Sequence, residues 1–560
     1  MTTKYTQHYN RKTTPQTEPI PGTPQVKNSA GGYAFAVDDW ARLERFLILG
    51  TEGGTYYASE RKLTRESAAV VERCLMLDGE RTVAVIAGVS VAGRAAKNEP
   101  ALFALALAMK LGDERARSAA RVVVSKVART GTHLLHLADM INDLGGWGRG
   151  TRSAFADWFN DKPVERAAYQ AVKYQSRDSW AMRDLLRLSH PTPRSIDHDR
   201  LYRWITKGEL APPQASDGPL ALRDPLAIVE GFERAKEASS VEEVAYLVRE
   251  FKLPREAVPT KHLKSPLVWE ALLDEPIGMT ALVRNLATMT RVGLLAPMSD
   301  ATRRVCARIS DAGEIRKGKM HPVSILSALR TYASGYSARG SSSWHPVQRV
   351  VDALDAAFYH AFDAVEPTGK RTLIALDVSG SMTQGEVAGV PGLTPREASA
   401  AMAMVTARVE PEHLIVAFTA PGGITPTRQD QIGGRWGGGT PGIHGLPISA
   451  RGTLREALSV IERTPMGGTD CSLPMLWAID QRAPIDTFVV YTDNETWAGA
   501  MHPVQALRRY REVTGIPARL VVVGMTATEF SIADPADRGM LDVVGFDSSA
   551  PALIADFARG

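Results

Sequence analysis

The sequence predicts a multidomain chain: an all-α stack of helical pairs, then an α/β doubly wound domain with a parallel sheet. Three observations carry this. From about Tyr33 to Tyr359 apolar residues recur at spacings of three and four, the signature of helices with one buried face. After the stretch Glu366 to Lys370 the pattern changes to short apolar runs alternating with helical ones. With 560 residues the chain is too long for one core.

Taken in order, residues 1–27 are polar and rich in Thr, Gln and Pro, and are expected to be a disordered tail. Residues 28–365 form the helical domain. Its segments, such as ESAAVVERCLML, ARVVVSKVART and VSILSALRTYASGY, run 10–16 residues between Gly, Pro, Asn or Asp. Many short antiparallel helices in succession give stacked pairs, an α-solenoid. The longest apolar run, Ala101 to Met109, is half a membrane span and fits a buried helix. Pro212 to Pro219 reads as an internal loop.

Residues 366–560 form the second domain. Strands are expected at RTLIALDVS, HLIVAFTA, DTFVVYTD, ARLVVVGM and LDVVGFD, with helices starting near Thr394, Thr453, Ser472 and Met501 and a last one from about Pro551. That βαβα order predicts a parallel sheet whose carboxyl edge receives ligands. Pro421 to Gly445, rich in glycine, is a long flexible loop near that edge.

Composition narrows the function classes. The start has no apolar h-region, so it is no secretory signal, and Cys74, Cys306 and Cys471 are scattered and odd in number. That argues against a disulfide framework or a cysteine zinc site and for a reducing cytoplasm. From Lys370 onward 16 Lys and Arg face 20 Asp and Glu, a net of −4; the preceding part has 50 against 42, a net of +8. A local basic patch for nucleic acid is permitted but not required.

The chemistry-bearing stretch is Leu373 to Met382, LIALDVSGSM. Asp377, Ser379 and Ser381 leave the first strand of the sheet together, an all-oxygen set suited to a hard divalent cation such as Mg²⁺. Thr469 in MGGTDCS and Asp493 at the end of FVVYTD are expected at the same edge. The set resembles the metal-ion-dependent adhesion site of von Willebrand factor A domains. That resemblance implies Ser379 and Ser381 as direct ligands, Thr469 joining in some states, and Asp377 and Asp493 binding directly or through water. An open position would take a carboxylate from a partner. The plainer alternatives are that Asp377 and the serines only cap backbone amides, or that the site is vestigial. Asp470 reads as a supporting or capping residue.

Catalysis is the weaker hypothesis. Aspartyl phosphotransferases carry a second acid two residues after the nucleophile, where this chain has Ser379. PTGKR lacks the first glycine and final hydroxyl of a phosphate-binding loop, and no G-x-S-x-G, H-E-x-x-H or CxxC motif occurs. His133 and His136 read as ordinary helix residues.

In the helical part, AVKYQSRDSWAMRDLLRLSH (171–190) places one helix end near Tyr174 and a new helix capped by Asp178 or Ser179. Lys173 and Arg177 then lie at a corner between helices and His190 at the far end of the second. Lys and Arg there would meet phosphates, and His a base, although solvated charge is the simpler account of such residues.

Several stretches together are similar to the Ro ribonucleoprotein family: RLERFLILGTEGGTYY, KNEPALFALAL, ADWFNDK, KYQSRDSW, DLLRLSHP and ITKG, then GGTDCSLPMLWA, YTDNETWAG, IADPADRGMLD and GFD. The helical part resembles the TROVE module and the second domain the von Willebrand factor A fold. The resemblance implies HEAT-like repeats closed into a ring, with the A domain joining the ends. It implies no enzyme activity but the binding of Y-like noncoding RNAs on an outer basic face through Lys173, Arg177 and His190. Single-stranded 3′ ends of misfolded RNAs would enter the central hole, in the service of RNA quality control. It further implies a monomer without a membrane partner, working with a 3′-exoribonuclease. The rival reading is a metal-dependent protein-interaction or assembly module without RNA function.

Overall fold

The computed structural model describes residues 13–50, 63, 65–212, 224–275, 277–337, 341–362, 365–384, 387, 393–421, 441–526 and 528–560. Residues 213–219 of the expected loop at Pro212 to Pro219, and most of the glycine-rich loop, residues 422–440, lie outside them.

Strands β1 (Gln25–Lys27) and β2 (Tyr33–Ala36) precede the helices. Helices then follow one another from Asp39–Leu49 to Gln348–His360. Their ends follow local rules: Asp38, Asp78, Asp113, Ser195, Ser240 and Ser299 each accept an amide of the first turn, and Gly50, Gly93, Gly208 and Gly335 close helices in the left-handed region. Glu99–Leu111 is apolar all round because it is the buried centre of its neighbourhood; Ala101 to Met109 are all buried. No described helix is long and apolar enough to cross a membrane.

Within the helical array lies a two-stranded hairpin, β3 (Ser176–Arg177) and β4 (Trp180–Ala181). The array also meets its own beginning. His321 Nε2 bonds the Arg94 carbonyl at 2.9 Å, and the Lys319 ammonium donates to the Val91 carbonyl, across more than 220 residues of sequence.

The α/β part holds β5 (Thr372–Asp377), β6 (His413–Phe418), β7 (Ile443–Gly445), β8 (Thr487–Thr492), β9 (Arg519–Gly524), β10 (Phe530–Ser531) and β11 (Met540–Val544). The sheet order is β11-β9-β8-β5-β6-β7, parallel except for β7. All of β5 is buried, as a strand covered on both faces must be. The order reverses between β5 and β8, and such a switch point opens a crevice at the carboxyl ends of the strands. The helices after β5 and β7 start with reciprocal caps, Thr394 with Glu397 and Thr453 with Glu456.

This part spans the two ends of the helical array. At the early end, Arg45 bonds Asp542 at 2.5 Å and Arg94, in the loop after the helix Gly79–Ala92, bonds Asp547 at 2.5 Å. On the late helices, Arg330 bonds Glu397 at 2.8 Å, Asp355 accepts the Leu454 amide at 2.8 Å, and the Arg408 guanidinium lies 3.4 Å from the Tyr359 ring centre.

The expectation of a disordered tail over 1–27 does not hold for residues 13–27. They dock on the α/β part, with Gln16 fully buried. β2 pairs antiparallel with both β1 and β10, so the segment before the helices completes a sheet with a strand near the end of the chain. Polar composition misleads here because the segment satisfies its amides and side chains on a distant surface instead of burying an apolar face. Residues 1–12 lie outside the description.

Candidate functional site

Asp377 and Asp493 flank the switch point, at the carboxyl ends of β5 and β8, and both are buried. Asp377 Oδ1 accepts the Ser379 amide at 2.9 Å and Oδ2 accepts the Thr492 hydroxyl at 2.7 Å. The Ser379 and Ser381 hydroxyls lie 3.0 Å apart. Asp493 Oδ1 accepts the Glu495 amide at 3.0 Å. Thr469 is not at a strand end. It lies in the loop before the helix Leu473–Asp480, where its carbonyl accepts the Trp497 and Ala498 amides at 3.1 and 3.0 Å. That bond pair ties the Thr469 loop to the loop that follows Asp493. The Gly380 amide donates to the Gly467 carbonyl at 3.1 Å, which brings the serine turn against the same loop.

Burial, reinforced by the neighbouring Asp493 carboxylate, pushes the Asp377 carboxyl up to about 7. A buried acid whose ionisation a second carboxylate opposes, beside neutral hydroxyls, is a donor set that a divalent cation would fit. Among the described residues no cluster of three His, Cys, Asp or Glu side chains occurs, so the cation charge would meet only two carboxylates. Asp470 points away from this role; its Oδ1 accepts the Ser472 amide and hydroxyl at 3.0 and 2.6 Å, a local cap. The three cysteines are buried and free.

The corner in the helical part differs from expectation in one element. Asp178 and Ser179 do not cap a helix. They are the two central residues of the hairpin turn, with φ of 50° and 65°. A two-residue turn with both φ positive matches strand twist, and its geometry overrides the capping preference of Asp and Ser. The next helix starts at Met182, and Asp184 accepts the Ala181 amide at 3.0 Å. The effect is to lift Arg177 onto a projecting hairpin.

Arg177 and His190 are exposed and make no side-chain hydrogen bond or ion pair among the described residues. His190 closes the helix Met182–Ser189 in the left-handed region, φ 47°. That eight-residue helix is about 12 Å long, so His190 sits a helix length from the hairpin. Lys173 ends the helix Val164–Lys173 and is half-buried, 5.5 and 5.4 Å from the Tyr169 and Tyr174 ring centres. Burial pulls its ammonium down, but Tyr174, Tyr169 and Glu256 outweigh that and hold it above its ordinary value. It stays cationic but is less open than a corner lysine is expected to be.

Sequence reasoning missed two residues here. His136 pairs with Asp178 and anchors the hairpin tip to the helix Gly131–Asp143. Trp180 Nε1 donates to Asp139 at 3.2 Å and fixes the hairpin's second strand to the same helix. The signal for both is the helical spacing of His136 and Asp139, which puts them on one face.

Known proteins share this arrangement. Residues 26–331 match the TROVE domain and residues 371–558 the Ro60 vWA domain. The RNA-binding protein RO60 of Deinococcus radiodurans is 44% identical over 551 residues, covering 98% of this chain and 97% of that protein. This chain belongs to the Ro family. The Caenorhabditis elegans RNA-binding protein RO60 is 33% identical over 607 residues, covering 96% of this chain and 90% of its own. The crystal structure of the Deinococcus radiodurans RO (RSR) protein superposes with a TM-score of 0.68 at 43% identity, covering 93% of this chain and all of that one. For a Ro-family chain the helical array and the A domain are thus matched together and over nearly their full length.

Proposed function

We propose that this chain is a non-catalytic RNA-binding protein of the Ro type, acting in the quality control and processing of noncoding RNA. Small Y-like RNAs bind its outer basic surface at Arg177, Lys173 and His190. Single-stranded 3′ ends of misfolded RNAs enter the ring. Arg177 supplies a phosphate contact from the hairpin, Lys173 a second charge behind it, and His190 a ring for a base or a hydrogen bond to it. The observation that carries this reading is the near full-length identity to proteins named as RNA-binding. The exposed Arg177 and His190 side chains, without a partner among the described residues, agree with it.

The A domain fastens or recruits. Asp377, Ser379, Ser381, Thr469 and Asp493 would hold Mg²⁺, which when bound supplies a fixed positive charge with room for a partner's carboxylate. The chain's own residues hold their oxygens at the switch point and keep the surroundings dry. A 3′-exoribonuclease is a partner in this reading, the chain is a monomer, and the cytoplasm is its location.

Charge reversal tests the RNA surface. Lys173→Glu with Arg177→Glu abolishes binding of a Y-like stem-loop in a mobility-shift assay while the fold is kept by circular dichroism. Unchanged affinity removes these residues from the site. Incubation of labelled RNA with protein and Mg²⁺ leaves the RNA intact; turnover lost in Asp377→Ala would replace this reading with an enzymatic one.

A further inference from the structure

Gln16 is the one side chain before β1 that is wholly buried among the described residues, and its carboxamide is fully used by groups some 450 to 490 residues away. Its nitrogen donates to Asp470 Oδ1 and to the Met501 carbonyl, both at 2.8 Å. Its oxygen accepts the Thr496 hydroxyl at 2.6 Å and the Gly499 amide at 3.2 Å. Thr496 Oγ1 in turn accepts the Cys471 amide at 3.1 Å. One amide group therefore joins the residue after Thr469 to the loop that begins at Asp493.

Two further bonds reach the same loop. Asn28 donates to the Thr496 carbonyl at 2.7 Å. The Ala30 amide donates to Glu495 Oε2 at 2.9 Å, and the Glu495 amide donates to Asp493 Oδ1 at 3.0 Å. The path from strap to candidate ligand is thus two hydrogen bonds at Asp493. At Thr469 it is one hydrogen bond and one peptide. The end of the strap is also held by β1, β2 and β10, and its start by the Thr14 amide donating to Gln505 at 3.1 Å and by His502 Nε2 donating to the Glu18 carbonyl at 2.8 Å.

We propose that residues 13–32 are a clasp that sets the Thr469 and Asp493 loops for cation binding, with Gln16 and Asn28 as positioning residues. This rests on the reading of Asp377, Ser379, Ser381, Thr469 and Asp493 as a divalent-cation site. The two loops come from different crossovers of the sheet, and a small octahedral ion tolerates little error in ligand placement. Supporting residues of this kind change metal affinity by roughly 10–100-fold when removed. Coupling is reciprocal, so bound cation must also hold the strap down. A peptide or protein that lifted the strap would lower the cation affinity of the A domain from outside the site.

The test uses the full chain with Mg²⁺ alone as the probe: wild type, Gln16→Ala, Asn28→Ala and Asp377→Ala. Calorimetric titration gives affinity, and hydrogen exchange without metal gives loop order. Gln16→Ala should weaken Mg²⁺ binding roughly 10–100-fold, with a smaller loss in Asn28→Ala. Residues 469–472 and 493–499 should exchange faster in both, while the helices over 99–143 exchange as in wild type and report an intact fold. Mg²⁺ should slow exchange over residues 16–33 in wild type. Wild-type affinity in both variants, with binding abolished in Asp377→Ala, overturns the clasp and leaves the metal site standing. Absence of Mg²⁺ uptake by wild type overturns the metal site and the clasp's role together, whatever the loop exchange shows.

Discussion

The seam where the helical array meets its beginning is held by a buried imidazole beside the Lys319 contact, and acid should weaken it. His321 is buried and caps the helix Pro322–Ser334: Nδ1 accepts the Val323 amide at 3.2 Å and Nε2 donates to the Arg94 carbonyl at 2.9 Å. Both nitrogens are committed, so a second proton breaks the cap. Burial pulls the imidazole down to about 4, against weaker upward pulls from the Arg94 carbonyl, the Asp547 carboxylate and the Phe546 carbonyl. A group depressed on folding contributes stability that is whole above its unfolded value of 6.5 and is lost as pH falls through about 4. That gap corresponds to about 3 kcal/mol in full, most of it gone by about pH 4.5. The perturbation is His321→Asn, which keeps a capping oxygen without a titrating group. The assay is the opening free energy of the amides of residues 321 and 323–325 from hydrogen exchange between about pH 7.5 and 4.5. The wild type should lose about 2–3 kcal/mol more than the variant over that range. Parallel curves would refute the reasoning. Other carboxylates, and His133, also pulled to about 4 by burial, titrate in both proteins and cancel in the difference.

Other expectations follow from local geometry. Gly32 packs its α-carbon against the backbone of the Asp493 loop, where an added Cβ would meet the Thr496 carbonyl oxygen at 1.9 Å; Gly32→Ala should cost about 1–3 kcal/mol and expose residues 13–30 to protease. Arg200 is buried and bonds Asp224 through both terminal nitrogens at 2.9 and 2.8 Å, and Asp197 at 2.8 Å. Arg200→Ala should destabilise by about 2 kcal/mol, read by urea denaturation, because charge-assisted hydrogen bonds to two partly exposed carboxylates are lost. His136→Ala frees the hairpin tip at Asp178 and should speed exchange of amides 176–181 while leaving the melting temperature within about 2 °C.

How much of this is legible in the sequence depends on the range of the interaction. The strands of the parallel sheet and the starts at Thr394 and Thr453 are readable because apolar runs and reciprocal caps act within a few residues. Asp377 and Asp493 are readable as partners because a doubly wound order fixes which strand ends are neighbours. The hairpin at Asp178 is not, since Asp and Ser suit both a cap and a turn, and local sequence does not choose. The docked strap escapes a sequence reading because Gln16 finds its partners through tertiary proximity alone. The closing bond between His321 and Arg94 is likewise invisible to periodicity, which counts helices but not the angle between successive pairs.

The central claim is that the hairpin corner grips RNA through its phosphates. The most direct test is the dependence of Y-like RNA affinity on salt for wild type and for Lys173→Gln with Arg177→Gln, at equal fold. Removing one phosphate contact should flatten the slope of log affinity against log salt by about 1, with weaker binding at low salt. The double variant should therefore show a slope shallower by roughly 1 to 2. An unchanged slope and unchanged affinity would contradict the claim.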